Sequence, residues 1–389
     1  MPGKSPDQPL HCPLYFAPPV VPCDPAELQP LLSFLRSSAS LTNAAFPRGT
    51  VTDDGRLDLC KQALGPAGCR SVTDALETNQ TVVSLLLGTD GIGDTGAADV
   101  ARLVDKNHAL EVLYLGCNKI GAAGVALLAA SLSAPSSSVS GLWLKRNPIG
   151  ADGARHLADM LKANSTLRTL DLVNTRLGAD GLAALTDTLT RHNQTIERLY
   201  LGGNFFGPDE APLLADLVRH MPRLKALLLN VGFLGDTGAA QLASALPESG
   251  LEELGLASNG IGPDGAACLF EAAASHPTLT HLHLGYAVST RVLGASPNII
   301  GDAGAASAAR CLAVNPGLIR LDLRGAKITA YGRELLADAL THNTHLHFLP
   351  IDGRPHPALL DRLQRNRESA VLTSLSRDVA LTRSVYRTV

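Results

Sequence analysis

The residues best suited to chemistry lie in the last third of the chain. His281 and His283 alternate on one short stretch, Asp322 stands between Arg320 and Arg324, and His345 and His347 alternate further on. Two histidines with a carboxylate make a zinc-ligand set. Arg320 and Arg324, however, would set two cations beside the dication, and they can pair with Asp322 instead. The expectation is a polar binding surface built from His281, His283, Asp322, Arg324, His345 and His347, with no metal. Gly91-Ile92-Gly93-Asp94-Thr95-Gly96 and Gly260-Ile261-Gly262-Pro263-Asp264-Gly265 carry the G-x-G-x-x-G spacing that can cradle a pyrophosphate. Both fall at one phase of an internal repeat, so they read as turn glycines, and no cofactor is expected. Seven cysteines are scattered without C-x-x-C spacing and read as buried free thiols. The glycosylation sequons at Asn79, Asn164 and Asn193 also share one phase, where a helix ends. No Ser-His-Asp or Cys-His constellation stands out, and the chain reads as a non-enzyme.

The elements that position these residues come from a repeat. Val112 begins VLYLGCNKIG, Gly141 GLWLKRNPIG, Thr169 TLDLVNTRLG, Arg198 RLYLGGNFFG and Glu253 ELGLASNGIG. The first leucine of each L-x-L falls at 57, 85, 113, 142, 170, 199, 227, 254, 282, 321 and 346. A period near 28 headed by L-x-L-x-x-N marks a leucine-rich repeat. The alternating segment is a short strand with its leucine pair facing the core. The following Asn suits a turn. An I-G-x-x-G-A phrase then opens an amphipathic helix, whose first-turn Asp (94, 152, 180, 236, 264, 302) is placed to cap it. A unit of this kind buries its apolar face only against its neighbours.

The expected fold is therefore α/β: a curved leucine-rich-repeat solenoid with parallel strands on the concave face and helices on the convex face. Residues 1–55 read as an N-terminal cap, with a helix from Asp24-Pro25 and a hairpin around Asp54-Gly55. Residues 56–352 read as the solenoid and 353–389 as a closing helix from Pro357 with a tail. One insertion, GYAVSTRVLGASPN from Gly285, leaves a strand end and is placed to overhang the wall.

Repeats of 28–29 residues with I-G-x-x-G-A helices resemble the ribonuclease-inhibitor-like class of leucine-rich repeats. That class is shared by the inhibitor, NOD-like receptor arrays, the Ran GTPase activator and GALA-type bacterial effectors. The resemblance covers about residues 56–350 and implies protein binding on the concave face. For the GTPase-activating alternative, Arg146 and Asn174 are the residues placed to act in trans.

The middle strand position faces that wall. There Tyr114, Trp143 and Tyr200, with Asp171 between them, put large amphipathic rings where small polar residues would serve; such rings carry interface energy. With 33 Lys+Arg against 36 Asp+Glu, the chain has no basic excess to attract nucleic acid. Proline interrupts every apolar run at the N-terminus, and Ile120 to Leu144 is too polar to span a bilayer. The reading is a monomeric cytoplasmic protein, or one delivered to a host cytoplasm, that binds a protein partner and neither nucleic acid nor membrane.

Overall fold

A computed structural model describes residues 17–37, 42–354, 357–368 and 376–387. They fall into two compact units: 17–196 together with 376–387, and 197–368. Both are built from strand–turn–helix repeats.

In the N-terminal unit, Asp24 accepts the Ala26 N–H and Pro25 occupies the first turn, so the helix Pro25–Arg36 opens there. Strands β1 (Ala44–Ala45), β2 (Thr50–Val51) and β3 (Arg56–Asp58) pair antiparallel in that order. From β3 the ladder continues in parallel through β4 (Ser84–Leu86), β5 (Val112–Tyr114), β6 (Gly141–Trp143) and β7 (Thr169–Asp171). The C-terminal unit repeats the parallel ladder through β8 (Arg198–Tyr200), β9 (Ala226–Leu228), β10 (Glu253–Gly255), β11 (His281–His283) and β12 (Arg320–Asp322). The leucine pairs from Leu57/Leu59 to Leu321/Leu323 are all buried. The opposite face of each strand is the wall.

Asparagine amides bind one repeat to the next. Asn147 donates to the carbonyls of Leu115 and Leu144, both at 2.9 Å, and accepts from the N–H groups of Asn118 (2.8 Å) and Ile120 (3.1 Å). Asn118 and Asn298 bond in the same way. A second row closes each helix-to-strand corner. There Asn164 donates to Leu132 and accepts from Leu167, and the buried Asn79 and Asn193 act alike. The sequon amides are thus engaged inside the fold.

Asp90 occupies a ladder position. Its Oδ1 accepts the Gln62 N–H at 2.8 Å, while Oδ2 is buried without a partner. Burial pushes the carboxyl up to about 8. Once protonated, it presents an O–H where the asparagines present an N–H. The unfolded carboxyl titrates at about 4, so the folded state holds the extra proton between about pH 4 and 8. Stability must fall as pH rises through that window. Asp90→Asn should therefore stabilise the unit by about 5 kcal/mol at pH 8.5 and by about 1 kcal/mol at pH 5. Melting temperatures at the two pH values check this, and an equal gain at both would refute it.

The first-turn aspartates do not cap their own helices, as the sequence reading expected. Asp94 accepts the Gly121 N–H at 2.6 Å, Asp236 accepts those of Gly262 and Gly265, and Asp302 accepts that of Thr329. Each carboxylate closes the helix of the following repeat. The own helix is entered instead through glycine in the left-handed region, as at Gly93 (φ 60°), so no N-terminal side chain is poised to cap it.

The last repeat also differs. Arg320 pairs with Phe348 and Leu323 with Ile351, so Leu349 and Ile351 take the strand-pair positions, and the fully buried Leu346 corresponds to Leu318 just before the preceding strand. Asn343 stands six residues before Leu349, as Asn315 does before Leu321. The step from 321 is then 28 rather than 25.

The insertion after β11 folds onto the turn of the preceding repeat. Ala287 N–H and Thr290 Oγ1 both donate to Ser258 Oγ, and Asn298 resumes the ladder. It lies against strand-to-helix turns, where the sequence reading had it overhanging the wall. Among the described residues, no helix is long and apolar enough to cross a membrane.

Candidate functional site

The wall of the N-terminal unit carries a run of its own chain. Residues 376–387, containing the short helix Arg377–Ala380, lie across β2 to β7. Arg377 forms two hydrogen bonds with Glu111 (2.9 and 3.1 Å), and Thr169 donates its hydroxyl to Asp378. Leu381 is buried among Cys60, Leu86, Val112, Tyr114 and Trp143, with Val379 and Tyr386 packed beside it. Ser84 donates to the Leu381 carbonyl (2.8 Å) and Arg56 to that of Arg383 (2.7 Å). The Asp58 carboxylate accepts from Ser384 Oγ (3.1 Å) and the Val385 N–H (2.8 Å), and Tyr386 reaches Thr50 at 2.5 Å. The Arg387 guanidinium lies 3.9 Å from the centre of the Tyr114 ring.

Glycines make room for the rings. A side chain at Gly141 would meet Trp143 Cζ3 at 2.4 Å, and one at Gly88 would meet Tyr114 Cε1 at 2.7 Å. Trp143 is 4% exposed, Tyr114 is equally covered and Asp171 is buried. The sequence reading placed these rings on an open wall; the structure places them beneath the C-terminal segment. Burial pushes the Asp171 carboxyl up, opposed mainly by Lys145, and burial also raises the Tyr114 hydroxyl. Cys60, under the same segment, has its thiol raised to about 12 by burial, which makes it a poor nucleophile.

The wall of the C-terminal unit is polar. Tyr200 on β8 is half-buried in register with Leu228. His281 and His283 have ring centres 6.3 Å apart, and His283 Nε2 lies 3.0 Å from Glu253 Oε1. Burial raises the Glu253 carboxyl, but the His283 hydrogen bond and nearby positive charge leave it below its ordinary value. Burial holds His281 and His347 below the usual imidazole range. Asp322 is taken by Arg324 (Nε 3.0 Å, Nη2 2.5 Å) and approached by Arg320 at 3.8 Å.

The register of the last repeat separates the histidines that the sequence reading aligned. His347 is not the counterpart of His283 and Asp322, because Phe348 pairs with Arg320. His345 and His347 sit just before the last bridge. Among the described residues, no group of three His, Cys, Asp or Glu side chains is placed to hold a metal. Phe348, missed from sequence, is 42% exposed between the guanidinium groups of Arg320 (5.7 Å) and Arg367 (5.5 Å). Its position beside Leu349 was the available signal, once Asn343 sets the register.

These features define an α/β leucine-rich-repeat solenoid. A family model described as Leucine Rich repeat matches residues 106–129, 163–185 and 251–270. No curated protein sequence matches the chain. Among solved structures, the leiomodin-1 actin-binding site 2 shares 13% identity over 56% of this chain and 90% of that one, with a TM-score of 0.27. A likeness of that size carries no argument about this chain's partner.

Proposed function

We propose that this protein is a non-catalytic interaction scaffold that binds a protein partner through its strand walls. The observation that supports this most is that the wall of the N-terminal unit holds a polypeptide segment, by both apolar and backbone contacts. The exposed ring of Phe348, flanked by two guanidinium groups, supports the same use of the C-terminal unit's wall. The 28–29-residue repeats with I-G-x-x-G-A helices support the ribonuclease-inhibitor-like class, acting as a cytoplasmic monomer. The GTPase-activating reading is weaker. Asn174 is buried, which leaves the half-buried Arg146 as the side chain available to act in trans.

Affinity capture from the source cells tests the scaffold. Phe348→Ala should weaken retention of the captured partner by about 30-fold, as loss of an interface anchor does. Arg191→Ala, on an outer helix, should leave it unchanged. Retention indifferent to Phe348→Ala, and to His281→Ala in the same register row, would remove this wall from the function.

A further inference from the structure

Wall positions of a leucine-rich unit normally look into solvent. Here Ser84, Leu86, Val112 and Thr169 are fully buried, and what buries them is residues 376–387. The contacts fall into two kinds. Ser84, Arg56 and Asp58 hold main-chain groups of the segment, which any bound polypeptide would present. Glu111, the Leu86–Val112–Trp143 pocket and the Tyr114 ring hold three particular side chains: Arg377, Leu381 and Arg387. Backbone contacts combined with a few side-chain pockets are how proteins read peptides.

The hold is also limited. Leu381 is the segment's one fully covered apolar anchor, Val379 and Tyr386 are half-covered, and the Arg377–Glu111 pair is largely solvent-exposed.

Building on the scaffold reading, we propose that the N-terminal wall is a peptide-binding groove with residues 376–387 as its resident, displaceable ligand. Its external occupant is a partner segment of the same chemistry: an apolar side chain of leucine type four residues after one arginine and six before another. The carboxylates of Glu111 and Asp58 fit such a basic, apolar segment, and the resident segment lowers its apparent affinity by the fraction of time that the groove is filled.

The test uses the full chain. A fluorescent synthetic peptide of residues 376–387 is titrated into wild type and into Leu381→Glu, which puts a charge in the apolar pocket and should release the segment. The released variant should bind the peptide at least tenfold more tightly than wild type, and adding Trp143→Ala should reverse that gain. Hydrogen exchange should show residues 380–387 losing protection in Leu381→Glu. Should that variant fail to fold, Leu381→Ser combined with Arg377→Glu, which removes the apolar anchor and the ion pair without placing a charge in the pocket, releases the segment instead. Equal peptide affinity for wild type and a folded, released variant would overturn the proposal. So would the absence of binding to that variant, or a wild-type dimer formed by exchange of the segment between copies. Peptide exchange with no wall-dependent partner would sink the scaffold reading alone; a wall-dependent partner without peptide exchange would sink this proposal alone.

Discussion

Asn147→Ala is expected to destabilise the N-terminal unit by about 3–5 kcal/mol. Asn147 is fully buried and makes four hydrogen bonds, two donated to carbonyls and two accepted from N–H groups. Alanine removes all four bonds; the Leu115 carbonyl keeps the Asn118 amide, and the other three buried backbone groups lose this partner, at about 1–3 kcal/mol each before water enters or the chain relaxes. Relaxation keeps the total below the sum. Urea unfolding measures the loss, and a value under about 1 kcal/mol would mean that the ladder does not hold adjacent repeats together. Asn147→Asp makes a useful second variant. It keeps the acceptor but regains a donor only when protonated, so it should be milder at pH 5 than at pH 8.

Leu172→Ala should cost about 2–5 kcal/mol, the range for deleting a buried leucine side chain. Leu172 is fully buried, and its neighbour Leu144 holds the equivalent place one strand before. The ladder bonds fix the spacing of these strands, so the cavity cannot close by collapse and the loss should fall in the upper half of that range. The same urea titration checks it. A loss near 1 kcal/mol would show that the core relaxes freely around the site.

The repeat itself was legible because it is local. A leucine pair, an asparagine and an I-G-x-x-G-A phrase recur within 28 residues, and each specifies a strand, a turn or a helix start. The places where sequence reading went astray involve contacts made across repeats. LHFLPI offers two apolar doublets, Leu346/Phe348 and Leu349/Ile351, and alternation alone cannot choose between them. The choice is made by Asn343, whose carboxamide accepts the N–H groups of His345 and Leu346 and so fixes where the strand begins. An aspartate in a first helical turn reads as a cap for its own helix; that it serves the next one depends on packing about 27 residues away. The covered wall lies furthest from local reading, since Ser84 meets Leu381 across 297 positions. Its one local trace is the apolar pair Leu86 and Val112 on a face otherwise expected to be polar.

The carboxylates that close the following helix give the array a direction. In a stack of symmetrically coupled repeats, a break anywhere would leave two equivalent ends. Here a cut between the Asp94 and Gly121 repeats leaves the upstream piece with an idle carboxylate and with the Gly93 N–H parted from its Asn118 carbonyl. The downstream piece begins with a helix whose first N–H groups have lost their acceptor. The same asymmetry applies at Asp236 and Asp302. The two ends of such a break therefore differ in chemistry: a free acid group on the amino-terminal piece, and a helix start without its carboxylate on the carboxyl-terminal piece.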